Sequence, residues 1–241
     1  MQGLLLVDKP AGWTSFDVVN YVRRIVAGLE GKKPKNCKVG HTGTLDPFAT
    51  GLLVLLIGKD YTRRAGELSK LDKTYEALAE LGRVSTTGDP EGELSVYSDQ
   101  IVDPASPFTT APTTPEVEAV LQQFIGEISQ VPPAYSAIKV NGVRAYKLAR
   151  DGKEVVIEAR KTTIHSIELI NYIYPDVAFR TSVSSGTYIR TLVEDFGAAL
   201  GTGAYTAELR RTSVGKYSID DAIAVEGMTP DLLESHLQTL S

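Results

Sequence analysis

The spacing of apolar residues changes several times along this chain, and each change marks an element. Residues 4–7 form a continuous apolar run that ends in Asp8-Lys9-Pro10-Ala11-Gly12, so a strand closed by a turn is expected there. Phe16, Val19, Tyr21, Val22, Ile25 and Val26 then follow helical spacing to about residue 28, and Thr14 with Asp17 three positions later gives a capping-box pattern at the start. The lysine-rich stretch 31–38 reads as an exposed connector. Residues 52–57 are six apolar positions closed by Gly58, the pattern of a core strand. A short helix is expected over 63–71 and a strand over 74–81.

The second half begins with a Pro/Ser/Thr-rich surface loop over 98–115. Thr114-Pro115-Glu116 opens a helix to about residue 124, with proline in its tolerated first turn. Pro132 and Pro133 interrupt the chain before a strand predicted over 135–140 and a short basic helix over 144–150. Two β runs follow at 163–173 and 177–182. Residues 187–200 form a helix with Ile189, Leu192, Val193, Phe196 and Leu200 on one face, Thr187 as its cap and Gly201 as its stop. Two short helices are expected over 220–225 and 230–240. Strands and helices mix without strict βαβ alternation, which predicts an α+β fold with a mixed, largely antiparallel sheet.

Composition narrows the class. The chain has 241 residues, 42% of them hydrophobic and 23% charged, as in a globular protein able to bury a sizeable core. Its one cysteine, Cys37, excludes an intramolecular disulfide and fits a reducing, cytoplasmic location. The opening residues 1–8 lack the charged segment of a signal peptide, and no apolar stretch approaches membrane-spanning length. His41, His165 and His236 stand far apart, without other ligand types at metal spacing, so no metal site is expected.

The net charge of −5 argues against a nucleic-acid binder until it is divided along the chain. Residues 1–75 hold 12 Lys and Arg against 7 Asp and Glu, and residues 131–216 hold 12 against 8. The acidic excess falls in 76–130 and 217–241. A polyanion could therefore meet a basic face while the acidic segments point elsewhere, if the blocks stay apart in space.

Candidate chemistry centres on residues 40–51, G-H-T-G-T-L-D-P-F-A-T-G, which place Asp46 in a glycine- and hydroxyl-rich loop directly ahead of the core strand. Pro47 pushes Asp46 out of helical backbone space. Taken alone, this is an Asp-Pro turn with flexible flanks. Arg190 falls in the first turn of the 187–200 helix, where the dipole disfavours a cation by roughly 0.3–1 kcal/mol, and an anionic partner would reverse that cost. Tyr75, at the start of a strand, is either a core aromatic or a flat face for a nucleobase.

Seven segments, L-L-L-V-D-K-P-A-G-W-T-S, V-G-H-T-G-T-L-D-P-F-A-T-G, K-T-Y-E, T-T-G-D-P-E-G, V-P-P-A-Y-S-A-I-K-V-N-G-V-R-A-Y-K-L-A-R, G-T-Y-I-R-T-L and L-R-R-T-S-V-G, run in order from Leu4 to Gly215. Together they closely resemble the TruB family of tRNA pseudouridine synthases. The resemblance implies the pseudouridine synthase fold, with a cleft for RNA, and the isomerisation of uridine 55 in the tRNA T-loop without cofactor or metal. It implies that Asp46 is the catalytic aspartate, Arg190 the arginine that pairs with it, Tyr75 the aromatic stacked on the uracil, and Tyr188 a second active-site aromatic. His41 would hold the T-loop open around the flipped nucleotide, Lys9 would support the site, and Asp89 would contact RNA or order the cleft. Residues 131–155 would close over the T-arm, with Lys139, Arg144, Lys147 and Arg150 meeting phosphates.

The expected partner is the T-arm stem-loop of tRNA, with no membrane and no obligate protein partner. Many family members continue into a C-terminal PUA-type RNA-binding domain. Only 26 residues follow Gly215 here, and after Lys216 they hold five acids and no Lys or Arg. The expected organisation is therefore a catalytic domain over 1–216 and a short acidic tail over 217–241, with no PUA domain. Three alternatives compete, and the first, a guide-dependent rRNA modifier, is disfavoured by the expected lack of that C-terminal domain. A non-catalytic tRNA-folding protein is disfavoured by Asp46, Arg190 and Tyr75 together, and a phosphate-loop enzyme by the lack of G-K-[ST] or G-x-G-x-x-G patterns.

Overall fold

The computed structural model describes residues 1–97, 111–136, 138–140, 142–152 and 155–239. The chain divides into two compact units, one of residues 1–75 with 209–241 and the other of residues 76–208.

In the first unit the strands Gly3–Lys9 and Thr50–Ile57 pair antiparallel, with Leu5 opposite Leu55 and Lys9 opposite Gly51. Their segments 4–7 and 52–57 are apolar at every position for one reason: both of their faces are covered. Leu5, Val7, Leu53, Leu55 and Ile57 pack with Val18, Val19, Val22 and Val26 of the Ser15–Leu29 helix. Leu4, Leu6, Leu52, Val54 and Leu56 pack on the other side with Leu68, Val214 and Tyr217. Fully burying such side chains contributes about 1.5–3 kcal/mol each. The capping box holds as the sequence predicts, since Thr14 Oγ1 accepts from the Asp17 amide and the Asp17 carboxylate accepts from the Thr14 amide. Outer strands are Ile223–Ala224, parallel to Gly3–Lys9, and Val39–His41, antiparallel to Thr50–Ile57.

The second unit carries strands in the order Lys73–Leu81 (from Glu76 on), Asp176–Val183, Arg160–Ile173 and Gly126–Gln130, with the last three pairing antiparallel. Helices Thr114–Gln122 and Ile189–Ala199 belong to this unit. The α+β class with a largely antiparallel sheet is as expected.

Several elements differ from the sequence reading. The 63–71 helix is two short ones, Lys59–Arg63 and Ala65–Leu68. The strand predicted over 135–140 is instead a small hairpin, Lys139–Val140 with Val143–Arg144, because the chain turns at Gly142 with φ of 83°. Residues 220–225 form a 3-10 turn at Ile219–Asp221 and the strand Ile223–Ala224, not a helix, and Ile223 and Val225 are buried. The strands Gly126–Gln130 and Ala204–Val214 had no clear alternation to announce them. Most of the 98–115 loop lies outside the described residues.

Candidate active site

Asp46 follows Leu45, whose backbone is fixed from the helix Ser15–Leu29. The Leu45 amide donates to Ser15 Oγ at 2.8 Å, and that hydroxyl donates to the Leu45 carbonyl at 3.1 Å. On the other side of Asp46, the Pro47 carbonyl accepts from Lys9 Nζ at 3.1 Å and from the Gly12 amide at 2.8 Å. Lys9 is fully buried and also donates to the Pro10 and Trp13 carbonyls at 2.8 and 2.7 Å. One ammonium thus ties the Asp8-Lys9-Pro10 turn to the residue after Asp46, as a supporting group would. The Ala49 amide closes the loop onto the Asp46 carbonyl at 3.2 Å.

A second buried cation holds the first half of the loop. Arg211 is 1% exposed; its Nε donates to the Leu52 carbonyl at 2.8 Å and its Nη2 to the Gly43 carbonyl at 3.1 Å. Arg211 Nη1 and Lys73 Cε both pack close to Gly43, each 3.6 Å from where a Cβ would stand. Gly51 lies opposite Arg211 across the strands at φ of 102°, where a Cβ would collide with the Arg211 backbone. Burial, and then the charge of Arg211, push Lys73 down to about 8, with Asp72 opposing. Two buried cations therefore hold the backbone of a loop that presents one carboxylate.

Tyr75 is 7% exposed, on the same buried face of its strand as Lys73 and Ala77. His41 is half-buried at the end of the Val39–His41 strand, opposite Leu55. Thus Lys9, His41, Asp46 and Tyr75 all belong to the first unit.

The second unit holds the rest. Arg190 is 3% exposed and forms an ion pair with Asp89 at 3.1 Å, while also donating to the Thr87 carbonyl at 2.7 Å and the Tyr135 carbonyl at 2.8 Å. Asp89 is an anionic partner of the kind its place in the first helical turn requires. Asp89 is itself 3% exposed and accepts from Thr87 Oγ1 and the Glu91 amide, so it orders this loop from within. Farther along the helix, burial pushes the Glu194 carboxyl up, with Arg190 opposing.

Tyr188, not Thr187, caps this helix, and its side chain makes no cap hydrogen bond. The buried Gln130 substitutes: its Oε1 accepts from the Tyr188 amide at 2.8 Å and its Nε2 donates to the Tyr188 carbonyl at 3.0 Å. Thr187 is engaged elsewhere, with Thr162 and the Ser184 carbonyl.

Arg144, Lys147 and Arg150 are exposed on and just before the Ala145–Arg150 helix, and Arg150 lies 5.7 Å from the centre of the Tyr146 ring. Lys139 is described in its backbone only. Ser15 and Arg211 fix the backbone of the Asp46 loop, and Gln130 fixes that of Tyr188, yet sequence reasoning assigned them no role. A cation inside a strand was the one available signal for Arg211. Among the described residues, no group of three or more His, Cys, Asp or Glu could hold a metal ion, and no helix is long and apolar enough to cross a membrane.

Comparison with known proteins identifies the family. Residues 31–189 match the profile of the TruB family pseudouridylate synthase N-terminal domain, and residues 190–237 that of the tRNA pseudouridylate synthase B C-terminal domain. The tRNA pseudouridine synthase B of Opitutus terrae is 44% identical over 229 residues, covering 95% of this chain and 87% of that protein. The protein of the same name from Flavobacterium johnsoniae is 42% identical over 226 residues, covering 92% of each. Among solved structures, the chain resembles one in a Cbf5-Nop10-Gar1 complex, with a TM-score of 0.67 and 30% identity. It resembles another in an archaeal box H/ACA sRNP Nop10-Cbf5 complex, with a TM-score of 0.64 and 28% identity. It covers 92% and 97% of its own length in these matches, but only 52% and 53% of those larger chains. With two consecutive profiles and relatives of this identity along nearly its whole length, the chain belongs to the TruB family of pseudouridylate synthases.

Proposed function

We propose that this chain is a tRNA pseudouridine synthase that isomerises uridine 55 of the T-loop, with Asp46 as its catalytic carboxylate. The reaction breaks the bond between N1 of uracil and C1′ of the ribose, turns the base, and joins C5 to C1′. The proton on C5 leaves and N1 gains one, so the change is redox-neutral. Covalent or electrostatic carboxylate catalysis at a sugar carbon suits such a step. Arg190 serves as an active-site cation, and Tyr75 and Tyr188 are the aromatic surfaces for the extruded uracil. Stacking of this kind offsets the few kcal/mol that extrusion costs. His41 supports the opened loop, and Lys139, Arg144, Lys147 and Arg150 meet the phosphates of the stem. The relatives named tRNA pseudouridine synthase B support tRNA as the substrate.

One observation carries this reading. The loop bearing Asp46 is fixed on both sides through its own carbonyls, at Gly43 by Arg211 and at Pro47 by Lys9, both cations being buried. An ordinary surface turn has no use for two buried cations, whereas a reacting group held in place gains rate from that order.

The test is tritium release from C5-labelled uridine in a T-arm stem-loop. The intact protein releases tritium stoichiometrically with conversion, and Asp46→Asn reduces release to background. Either no release by the intact protein or undiminished release by Asp46→Asn overturns the reading.

A further inference from the structure

Phe16 is out of place by the usual rules. It is 60% exposed at the start of a helix whose Val18, Val19, Val22 and Val26 are buried in the core. Its ring is not left to itself, because the Arg23 guanidinium carbon lies 5.7 Å from its centre, two turns along the helix. Arg23 is in turn held at two points, with Nη1 donating to Asn20 Oδ1 at 2.6 Å and Nη2 to the Val39 carbonyl at 3.1 Å. A surface arginine ordinarily keeps its rotamer freedom, whereas the half-buried Arg23 is set in place before any ligand arrives.

Both ends of this pair are tied to the catalytic loop. Phe16 adjoins Ser15, which holds the backbone of Leu45, the neighbour of Asp46. Arg23 holds Val39, the first residue of the strand that ends at His41. All of these residues belong to one compact unit. The charged side chain nearest in sequence, Asp17, has its carboxylate engaged with the Thr14 amide and hydroxyl in the capping box.

We infer that Phe16 and Arg23 form a second nucleotide-binding platform beside the Asp46 loop, on which an unpaired base of the RNA substrate stacks. This rests on the function proposed above, and it adds a contact outside the pocket for the reacting uridine. The chemistry selects the occupant. A flat, exposed ring offers its face to a nucleobase, and a fixed guanidinium beside it attracts both the π-system and the neighbouring phosphate. The unpaired nucleotides flanking an extruded uridine have lost their stacking partner and offer such a face. Arg24 and Lys38, both exposed, flank Arg23 and Val39 in sequence and add positive charge suited to the backbone of RNA.

The experiment measures both the Kd of a T-arm stem-loop, by fluorescence anisotropy, and tritium release, for the full chain and for Phe16→Ala, Phe16→Leu and Phe16→Trp. Loss of one stacked base weakens binding by roughly five- to a hundredfold. Phe16→Ala and Phe16→Leu are both expected to weaken binding in that range, while Phe16→Trp binds at least as tightly as the parent. Thermal melting checks that the variants fold, which is expected because Phe16 lies outside the core. Parent-like affinity in Phe16→Ala overturns the platform, and so does restoration by leucine, which would show an apolar contact rather than stacking. The two readings fail separately. Tritium release with unchanged Phe16→Ala affinity leaves the enzyme and removes the platform, whereas binding that depends on Phe16 without any release leaves the platform and removes the enzyme.

Discussion

Ser15 and Leu45 exchange two hydrogen bonds across thirty residues of sequence, one in each direction, through a single buried hydroxyl. The helix that Ser15 begins is anchored in the core by Val18, Val19 and Val22, so the rigidity of that core passes directly to the residue before Asp46. Ser15→Ala removes one hydroxyl and leaves both polar groups of Leu45 without it. Each such buried group costs about 1–3 kcal/mol. The expected result is a stability loss in that range by denaturant unfolding. Tritium release should fall by about tenfold or more in kcat, since small misplacements of a reacting group carry penalties of that order. A Ser15→Thr variant that keeps the hydroxyl should recover most of the rate.

Gln130 acts at a distance in the same manner. The helix Ile189–Ala199 begins at Tyr188 with no capping side chain of its own, and the amide of Gln130 satisfies both backbone groups of that residue. Gln130→Leu keeps the volume and deletes both contacts, so about 2 kcal/mol of stability should be lost. Gln130→Glu keeps the acceptor for the Tyr188 amide but sets a carboxylate against the Tyr188 carbonyl, and it should be the worse variant at neutral pH. Urea unfolding of the two variants beside the parent checks the order.

The Arg190–Asp89 pair is buried on both sides, at 3% and 5% side-chain exposure. Removing one partner of such a pair typically costs 3–5 kcal/mol because the other charge stays buried. Asp89→Ala should show a loss of this size, together with lower activity, since Arg190 also orients the Thr87 and Tyr135 carbonyls. Raising the ionic strength of the parent to 1 M should reproduce little of this, because salt screens exposed pairs far more than buried ones. A large salt effect on the parent would place the pair in solvent.

How far the sequence reveals this molecule depends on which interactions are local. The capping box at Thr14 and Asp17, the helix it starts and the core strand after the Asp46 loop are set by neighbours in sequence, and they are legible. The helix is capped at Tyr188, one residue later than the capping type of Thr187 suggests, because the Thr187 hydroxyl is drawn away to Thr162. Arg211, Gln130 and Ser15 act on backbone 30 to 168 residues away, and no periodicity encodes such a contact. The loop that carries Asp46 stands out in the sequence, but the cations that hold it do not.

Lys73 gives a prediction with a definite sign. Burial and the charge of Arg211 push its ammonium down to about 8 in the folded protein, from an unfolded value near 10.5. Between these values the unfolded chain binds more protons than the folded one, so stability must rise with pH across that window. Physically, the buried charge beside Arg211 is relieved when the proton leaves. Its hydrogen bonds to the Ser69 and Leu71 carbonyls favour the charged form and limit the effect, which is at most roughly 3 kcal/mol. Tyrosines titrate at the upper end of the range, and Tyr205, raised to about 12 by burial and Glu80, contributes stability that is lost as pH climbs. The informative quantity is therefore the difference between the parent and Lys73→Met. Unfolding free energies at pH 7.5 and 9.5 should show the parent gaining stability relative to the variant. Parallel pH dependence in the two proteins would mean that Lys73 keeps its proton throughout.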